Sequence, residues 1–579
     1  MKEISREEGD LERGDCINLL EQAMMRGQID RRNFMKFAAA LGLSATSAAA
    51  MAQKASAIEA NQSALAKNLL PQYDYIVCGA GSSGCVVASR LSENPDVTVL
   101  LIEAGGSDQV ASIQDPGVWF TNLGTEREWG DKSVPQRHLN KRQISLAMGK
   151  AVGGGSSINV MAYVRGHKND FDHWALEAGD PSWNYEHVLA IYKRIENWQG
   201  APDPAYRGQG GIVWVQPAHN PNPIAPAMVK AAAAVGIPSF DDHNGAMMEG
   251  PGGCAIANTS IKDGRRVNMA AHYLHPVMDR PNLTVLTQAE VQKITLNGKR
   301  ASGVEFLWQG KMHKIRAAKE VVLSTGAINS PKLLMLSGIG DEASLKRAGI
   351  QAVHHLPGVG QNFMDHILLG GCIWEYNTPQ PPRNNFAECT LFWKSDSRLD
   401  TPDLQPFQIE IPYTSEVTGK QFAPPAAAWS IAPGLVRPAS RGFVELQSSN
   451  PRDRMKIQAN FLSEPADMRA LVRAVELCRE IGNGQEMREF AKREVMPGPL
   501  KGKEMENFIR NAAMTYWHQT GTCKMGRDRM AVVDHKLRVR GISGLRVADG
   551  SIMPRVTTGN TMAPCMIIGE RMAEILKQA

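Results

Sequence analysis

The chain has 579 residues, 43% hydrophobic and 21% charged, with 53 Gly and 33 Pro. At about 100–200 residues per domain, that length excludes a peptide, a lone binding module or a disulfide mini-protein, and the apolar content excludes wholesale disorder. The 64 Lys and Arg against 59 Asp and Glu leave only +5, with no run of five like charges, so nucleic acid is not an expected partner. Nine Cys, at positions 16, 78, 85, 254, 372, 389, 478, 523 and 565, form no C-x-x-C pair. They read as buried thiols rather than a zinc or redox site, and no metal is expected.

The N-terminus carries Arg31 and Arg32, then Phe34 and Lys36, then an alanine-rich apolar stretch from Phe37 to about Met51 that closes on Ala50, Met51 and Ala52. Roughly 15 residues fall short of the ~20 that span a bilayer as a helix. The pattern resembles a twin-arginine export signal. It implies residues 1–52 as signal, 53–70 as linker, and a periplasmic protein exported already folded around its cofactor. No later run approaches 18 apolar residues, so no integral membrane span is expected in the mature chain.

Tyr73 to Cys78 is a short apolar run rich in strand formers, and Gly79, Ala80, Gly81, Ser82, Ser83 and Gly84 follow it as a G-x-G-x-x-G loop. Helical spacing continues through Cys85, Val86, Val87, Ala88 and Leu91, and a second strand, Val97 to Ile102, ends on Glu103. This is a βαβ dinucleotide unit. Its glycines let backbone approach a pyrophosphate at a helix N-terminus, and its terminal acid suits a ribose hydroxyl. Taken alone, the unit does not separate NAD from FAD.

Four later stretches add to it: GKAVGGGSSIN at 149–159, GAINSPKLLMLSGIG at 326–340, HQTGTCKMG from His518, and NTMAPCMIIGERMAE from Asn560. In this order and spacing the chain resembles the glucose-methanol-choline (GMC) flavin oxidoreductases from Tyr73 to its end, and MAYVRGHKNDFDHWA at 161–175 is closest in style to choline-dehydrogenase-like members. The resemblance implies an α/β (α+β) protein, in which a Rossmann-like FAD-binding domain interleaves with a substrate-binding domain carrying an antiparallel sheet. The FAD domain would take residues 71–162, 250–365 and 510–579, and the substrate domain 163–249 and 366–509. Strands are read at 283–287, 291–296, 303–307 and 321–324, with Asn297-Gly298 as a hairpin turn. The Pro- and aromatic-rich stretch 376–435 has little periodicity and reads as loops over the site or a surface insertion.

The resemblance also implies the cofactor contacts: Gly79, Gly81, Ser82, Ser83, Gly84 and Glu103, then Gly154, Ser157, Asn159 and Met161, then Val291, Asp549, Asn560 and Met562. Some relatives attach FAD through a histidine just after the Ser-Ser pair, but Ile158 stands there, so FAD is expected to be non-covalent. His518 occupies the family's base position, and an imidazole suits the task because its ordinary pKa near 6.5 leaves it neutral yet able to hold a proton. Asn560, 42 residues on, could donate to a developing alkoxide, and the helix from Cys565 to Lys577 would aim its positive end at the flavin. Asp365-His366 reads as structural.

The expected reaction is oxidation of a small primary or secondary alcohol to an aldehyde or ketone, with electrons passing to a quinone, a cytochrome or oxygen. A lyase or decarboxylase on the same fold, or a non-catalytic flavoprotein, are the alternatives.

Overall fold

The computed structural model describes Asn33, Lys36 and residues 45–578. Arg31, Arg32 and Phe34 lie outside the described residues. A helix α1 (Ala45–Lys67) precedes the first strand, so the stretch read as linker from residue 53 is mostly helix. It is held by side chains, because the Asn61 amide donates to the Met278 and Arg280 carbonyls and the Gln62 amide to those of Met278 and Leu283. Among the described residues no helix is long and apolar enough to cross a membrane.

The βαβ unit forms as the pattern requires: β1 (Gln72–Cys78), α2 (Ser82–Leu91) and β2 (Val99–Ile102). β1 pairs in parallel with β2, Tyr75 to Cys78 against Val99 to Ile102, and β2 with β3 (Leu283–Leu286). An antiparallel meander follows, β4 (Ala289–Asn297), β5 (Arg300–Trp308) and β6 (Lys311–Leu323), and the far half of β6 turns back along β1 in parallel. The hairpin register sets Asn297 opposite Arg300, and Gly298 takes the positive φ of 56° that the turn demands. The order is β4-β5-β6-β1-β2-β3, with β7 (Leu545–Val547) also paired to β6. Ile76, Val77 and Cys78 are fully buried, as expected of a parallel strand covered on both faces.

The second domain is built on a six-stranded antiparallel sheet in the order 491–496, 372–376, 428–432, 407–409, 389–392 and 253–256. Three of these strands come from 376–435, so that stretch is not a surface insertion but part of the second sheet, and the segments between its strands supply the expected loops over the site. The strands have three to five residues each, too short for alternation to show. Gly253–Ile256, expected in the flavin domain, instead pairs with Cys389–Phe392 as an edge of the second sheet. Ala513–Thr515 likewise pairs with Ile367–Leu369. These crossings tie the domains at the level of the site.

If the α1 contacts anchor the helix, Asn61→Ala combined with Gln62→Ala should cost about 1–3 kcal/mol, read as a few degrees lower thermal midpoint. An unchanged midpoint would mean the helix rests there without stabilising the domain.

Candidate active site

A cavity of ≈ 470 Å³ runs from the β1–α2 loop to the crossing strands, lined at one end by Gly79, Gly81, Ser82, Ser83 and Glu103 and at the other by His518 and Asn560. Gly79 has φ of 95°, and a Cβ there would lie 2.5 Å from the Ser324 carbonyl oxygen. A Cβ on Gly84 would lie 1.9 Å from the Gly79 carbonyl oxygen, so this residue packs the loop and lines nothing. The second glycine segment presses on the first: Gly154, at φ of 56°, would place a Cβ 2.7 Å from the Gly81 Cα. Backbone thus forms both walls where a pyrophosphate would sit, and α2 starts without a side-chain cap, leaving its first amides open to an anion.

Glu103 accepts from the Ala80 and Gly105 amides at 2.8 and 2.7 Å. Burial lifts its pKa to about 7 against those donors. Asp549 follows β7 and lines the cavity, but it is also committed to structure: its carboxylate accepts from the Gly326 amide at 2.9 Å, the Ser330 hydroxyl at 2.6 Å and the Ser551 amide at 2.8 Å. Val291, Asn159 and Met562 line the cavity as well, and the Asn159 amide lies 3.4 Å from the Met562 sulfur. Ser157 and Met161 do not. The Ser157 hydroxyl is turned away to the Val152 carbonyl at 2.6 Å, and Met161 is buried behind the wall in a left-handed conformation. The final helix, α3 (Met562–Lys577), opens on the cavity through Thr561, Met562 and Cys565, with Asn560 one residue ahead of its cap.

Arg266 was not legible in the sequence. It is buried and, among the described residues, has no acidic partner: its guanidinium donates to the Ile113 and Ser156 carbonyls and, at 2.6 Å, to the Asn159 side chain, while Nη2 has no partner among them. A buried cation without a counter-charge, touching a residue of the cavity wall, fits a site whose occupant is anionic. Backbone cradle, open helix amides and unpaired guanidinium together fit FAD.

At the other end, pairing of Ile367 with Thr515 sets His366 beside Tyr516, and the Tyr516 amide donates to the His366 carbonyl at 3.1 Å. Trp517 turns the chain at φ of 60° and His518 swings into the cavity, only 8% exposed. The Asp365 carboxyl holds this turn, accepting from the His518 backbone amide at 2.9 Å, from the Gln519 side-chain amide at 3.2 Å and from the Thr515 hydroxyl. Tyr516 stacks on the His518 ring at 5.3 Å and 7°. Asp365-His366 therefore does more than cross between domains, because the His366 Nδ1 lies 2.9 Å from the His518 Nδ1.

These contacts assign the tautomer. The Asn560 Oδ1 accepts from the Gln405 amide at 3.0 Å, which orients its Nδ2 toward the His518 Nε2, 3.3 Å away. An amide nitrogen only donates, so Nε2 carries the lone pair and Nδ1 the proton, and the Nδ1–H donates to the His366 Nδ1. Burial alone pushes the His518 pKa down to about 3, and burial together with the His518 charge holds His366 well below the ordinary imidazole range. Both rings are neutral at pH 7.

The family model described as GMC oxidoreductase matches residues 73–368 with its N-terminal part and 438–569 with its C-terminal part. The chain belongs to the GMC oxidoreductase family. It is 38% identical to an "Alcohol dehydrogenase [acceptor]" of Pseudomonas putida over 87% of this chain and 95% of that one. It is 36% identical to an "Oxygen-dependent choline dehydrogenase" of Citrobacter koseri over 87% and 95%. Among solved structures, pyridoxine 4-oxidase from Mesorbium loti superposes with a TM-score of 0.83 at 32% identity, over 88% of this chain and 99% of that one. The chain is thus a flavoenzyme of the oxidoreductase class acting on CH–OH donors, with FAD as its cofactor, an alcohol as its substrate and an electron acceptor as its partner.

Replacing Gly154 by Ala should force the Gly81 and Gly154 backbones apart and lower FAD occupancy at least ~10-fold, read from the flavin-to-protein absorbance ratio. A variant that purifies fully yellow would show that the cradle does not depend on this approach.

Proposed function

We propose that the protein oxidises an alcohol to an aldehyde or ketone with His518 as general base and Asn560 as the donor to the substrate oxygen. The observation that carries this reading is the 3.3 Å contact between the Asn560 Nδ2 and the His518 Nε2, both on the cavity wall, which leaves Nε2 as a hydrogen-bond acceptor there. Nε2 takes the hydroxyl proton, and the Asn560 Nδ2 releases the imidazole and donates to the oxygen as negative charge develops there. FAD supplies the acceptor for the carbinol hydride at its N5 when bound. Once protonated, His518 is doubly a donor, and the His366 Nδ1 accepts from it throughout, so the ring keeps its orientation through the proton transfer. Tyr516 and the Asp365 carboxyl fix the same ring from its face and its backbone.

Non-covalent FAD is supported by Ile158, which lines the cavity after Ser157 and offers no nucleophilic atom. Acid precipitation should leave all the yellow colour in the supernatant, and flavin retained in the pellet would contradict this. The Arg31-Arg32 pattern supports export to the periplasm by the twin-arginine route, with a quinone or cytochrome as the electron acceptor.

In anaerobic stopped flow with a neutral alcohol, His518→Ala should slow flavin bleaching at least ~100-fold, the scale of a lost general base, and Asn560→Ala by a smaller factor. A His518→Ala variant within threefold of wild type would remove this residue from the chemistry.

A further inference from the structure

The Asn560 side chain is held from outside the cavity. It sits in the loop ahead of α3, 8% exposed, where its Oδ1 accepts from the Gln405 Nε2 at 3.0 Å while its Nδ2 lies 3.3 Å from the His518 Nε2. Among the described residues its Oδ1 has no other donor. Gln405 is fully buried and does not line the cavity, so whatever it does there it does through its neighbours.

The terminal torsion of an asparagine is broad and roughly two-fold, so hydrogen bonds decide which atom of its amide points where. Turned over, the Asn560 amide would set its Nδ2 against the Gln405 Nε2, donor to donor, and its Oδ1 against the lone pair of the His518 Nε2. Both bonds would be lost at once, and the donor proposed for the substrate oxygen would face away from it.

Gln405 is itself well anchored, and by the second domain. Its backbone amide donates to the Gly434 carbonyl at 2.9 Å, its Nε2 lies 3.4 Å from the Thr390 hydroxyl, and its backbone carbonyl accepts from the Tyr516 hydroxyl at 2.5 Å. Tyr516 is the ring that stacks on His518. One residue thus reaches both reacting groups, Asn560 through its side chain and the face of His518 through its main chain.

Resting on the alcohol-oxidation reading above, we infer that Gln405 is a positioning residue, whose side-chain amide fixes the Asn560 Nδ2 toward the substrate oxygen before negative charge develops there. A donor aimed in advance needs no reorganisation as the charge forms, which is where its contribution to the rate lies. The test is a double-mutant cycle on the holoenzyme, followed by anaerobic stopped flow with butan-1-ol, octan-1-ol, benzyl alcohol and choline, using whichever bleaches the flavin fastest. Gln405→Met keeps the length of the side chain and the main-chain contact with Tyr516 but removes the amide. It should slow the limiting rate of flavin reduction ~5–10-fold, with the half-saturating alcohol concentration changed by less than about twofold. In an Asn560→Ala background the same substitution should cost less than about twofold, because nothing is left to position. Gln405→Asn, which stays polar but withdraws the amide by one methylene, should give the same cycle and serves if the methionine variant does not fold. Equal losses in both backgrounds, as a merely structural role would give, or no loss when Asn560 is present, would overturn the role of Gln405. Flavin that none of these alcohols bleaches would refute the alcohol-oxidation reading itself, and the inference with it.

Discussion

The contact on which the active end of the molecule depends is the hydrogen bond between two buried imidazoles, the His518 Nδ1 and the His366 Nδ1, 2.9 Å apart. Two neutral rings can share such a bond only if one donates and the other accepts, and the Asn560 amide on the opposite nitrogen decides which. The proton is thereby kept off the nitrogen that faces the cavity. A protonated His518 would lose its lone pair, and a flipped tautomer would point an N–H at the substrate hydroxyl. Burial enforces the neutral state: among the described residues no carboxylate is bonded to the ring, and Asp365 is turned to the backbone amide of His518.

That arrangement is possible because the chain crosses between domains twice at one level. Ile367–Leu369 leads into the second domain, Ala513–Thr515 returns from it, and pairing of these strands brings together two histidines 152 residues apart. The same logic operates at the flavin end, where the loop after β1, the end of β2, the segment around Gly154 and the last helix converge on one cavity wall. Close approach there is a property of glycine: a methyl group on Gly154 would overlap Gly81. One end of the cavity is built on close-packed glycine backbone beside Glu103 and Asp549, and the other on Tyr516, His518 and Asn560, the groups the proposed proton transfer would use.

Much of this was readable from residues. The βαβ unit is local, so strand composition, glycine spacing and the terminal Glu103 suffice to specify it, and the motif around His518 marks its position without any geometry. The misplaced features are those decided by distant partners. Ser157 sits inside a recognisable motif, yet its hydroxyl turns to Val152. Gly253–Ile256 looks like the start of the flavin domain's return and is captured by Cys389–Phe392 instead. Strands of three to five residues in 376–435 leave no period to detect. The Asp365-His366 motif reads only as structural and Arg266 carries no local signal, because a paired imidazole and a guanidinium without a counter-charge are relations between segments rather than patterns within one.

The claim that orders all of this is the protonation pattern of one ring. It is tested most directly by 15N NMR of the histidine-labelled holoenzyme at pH 7, with the His518 signals assigned by their loss in a His518→Gln sample. The ring should be neutral, with a protonated Nδ1 and a bare Nε2. A resonance pattern showing the proton on Nε2, or on both nitrogens, would contradict it.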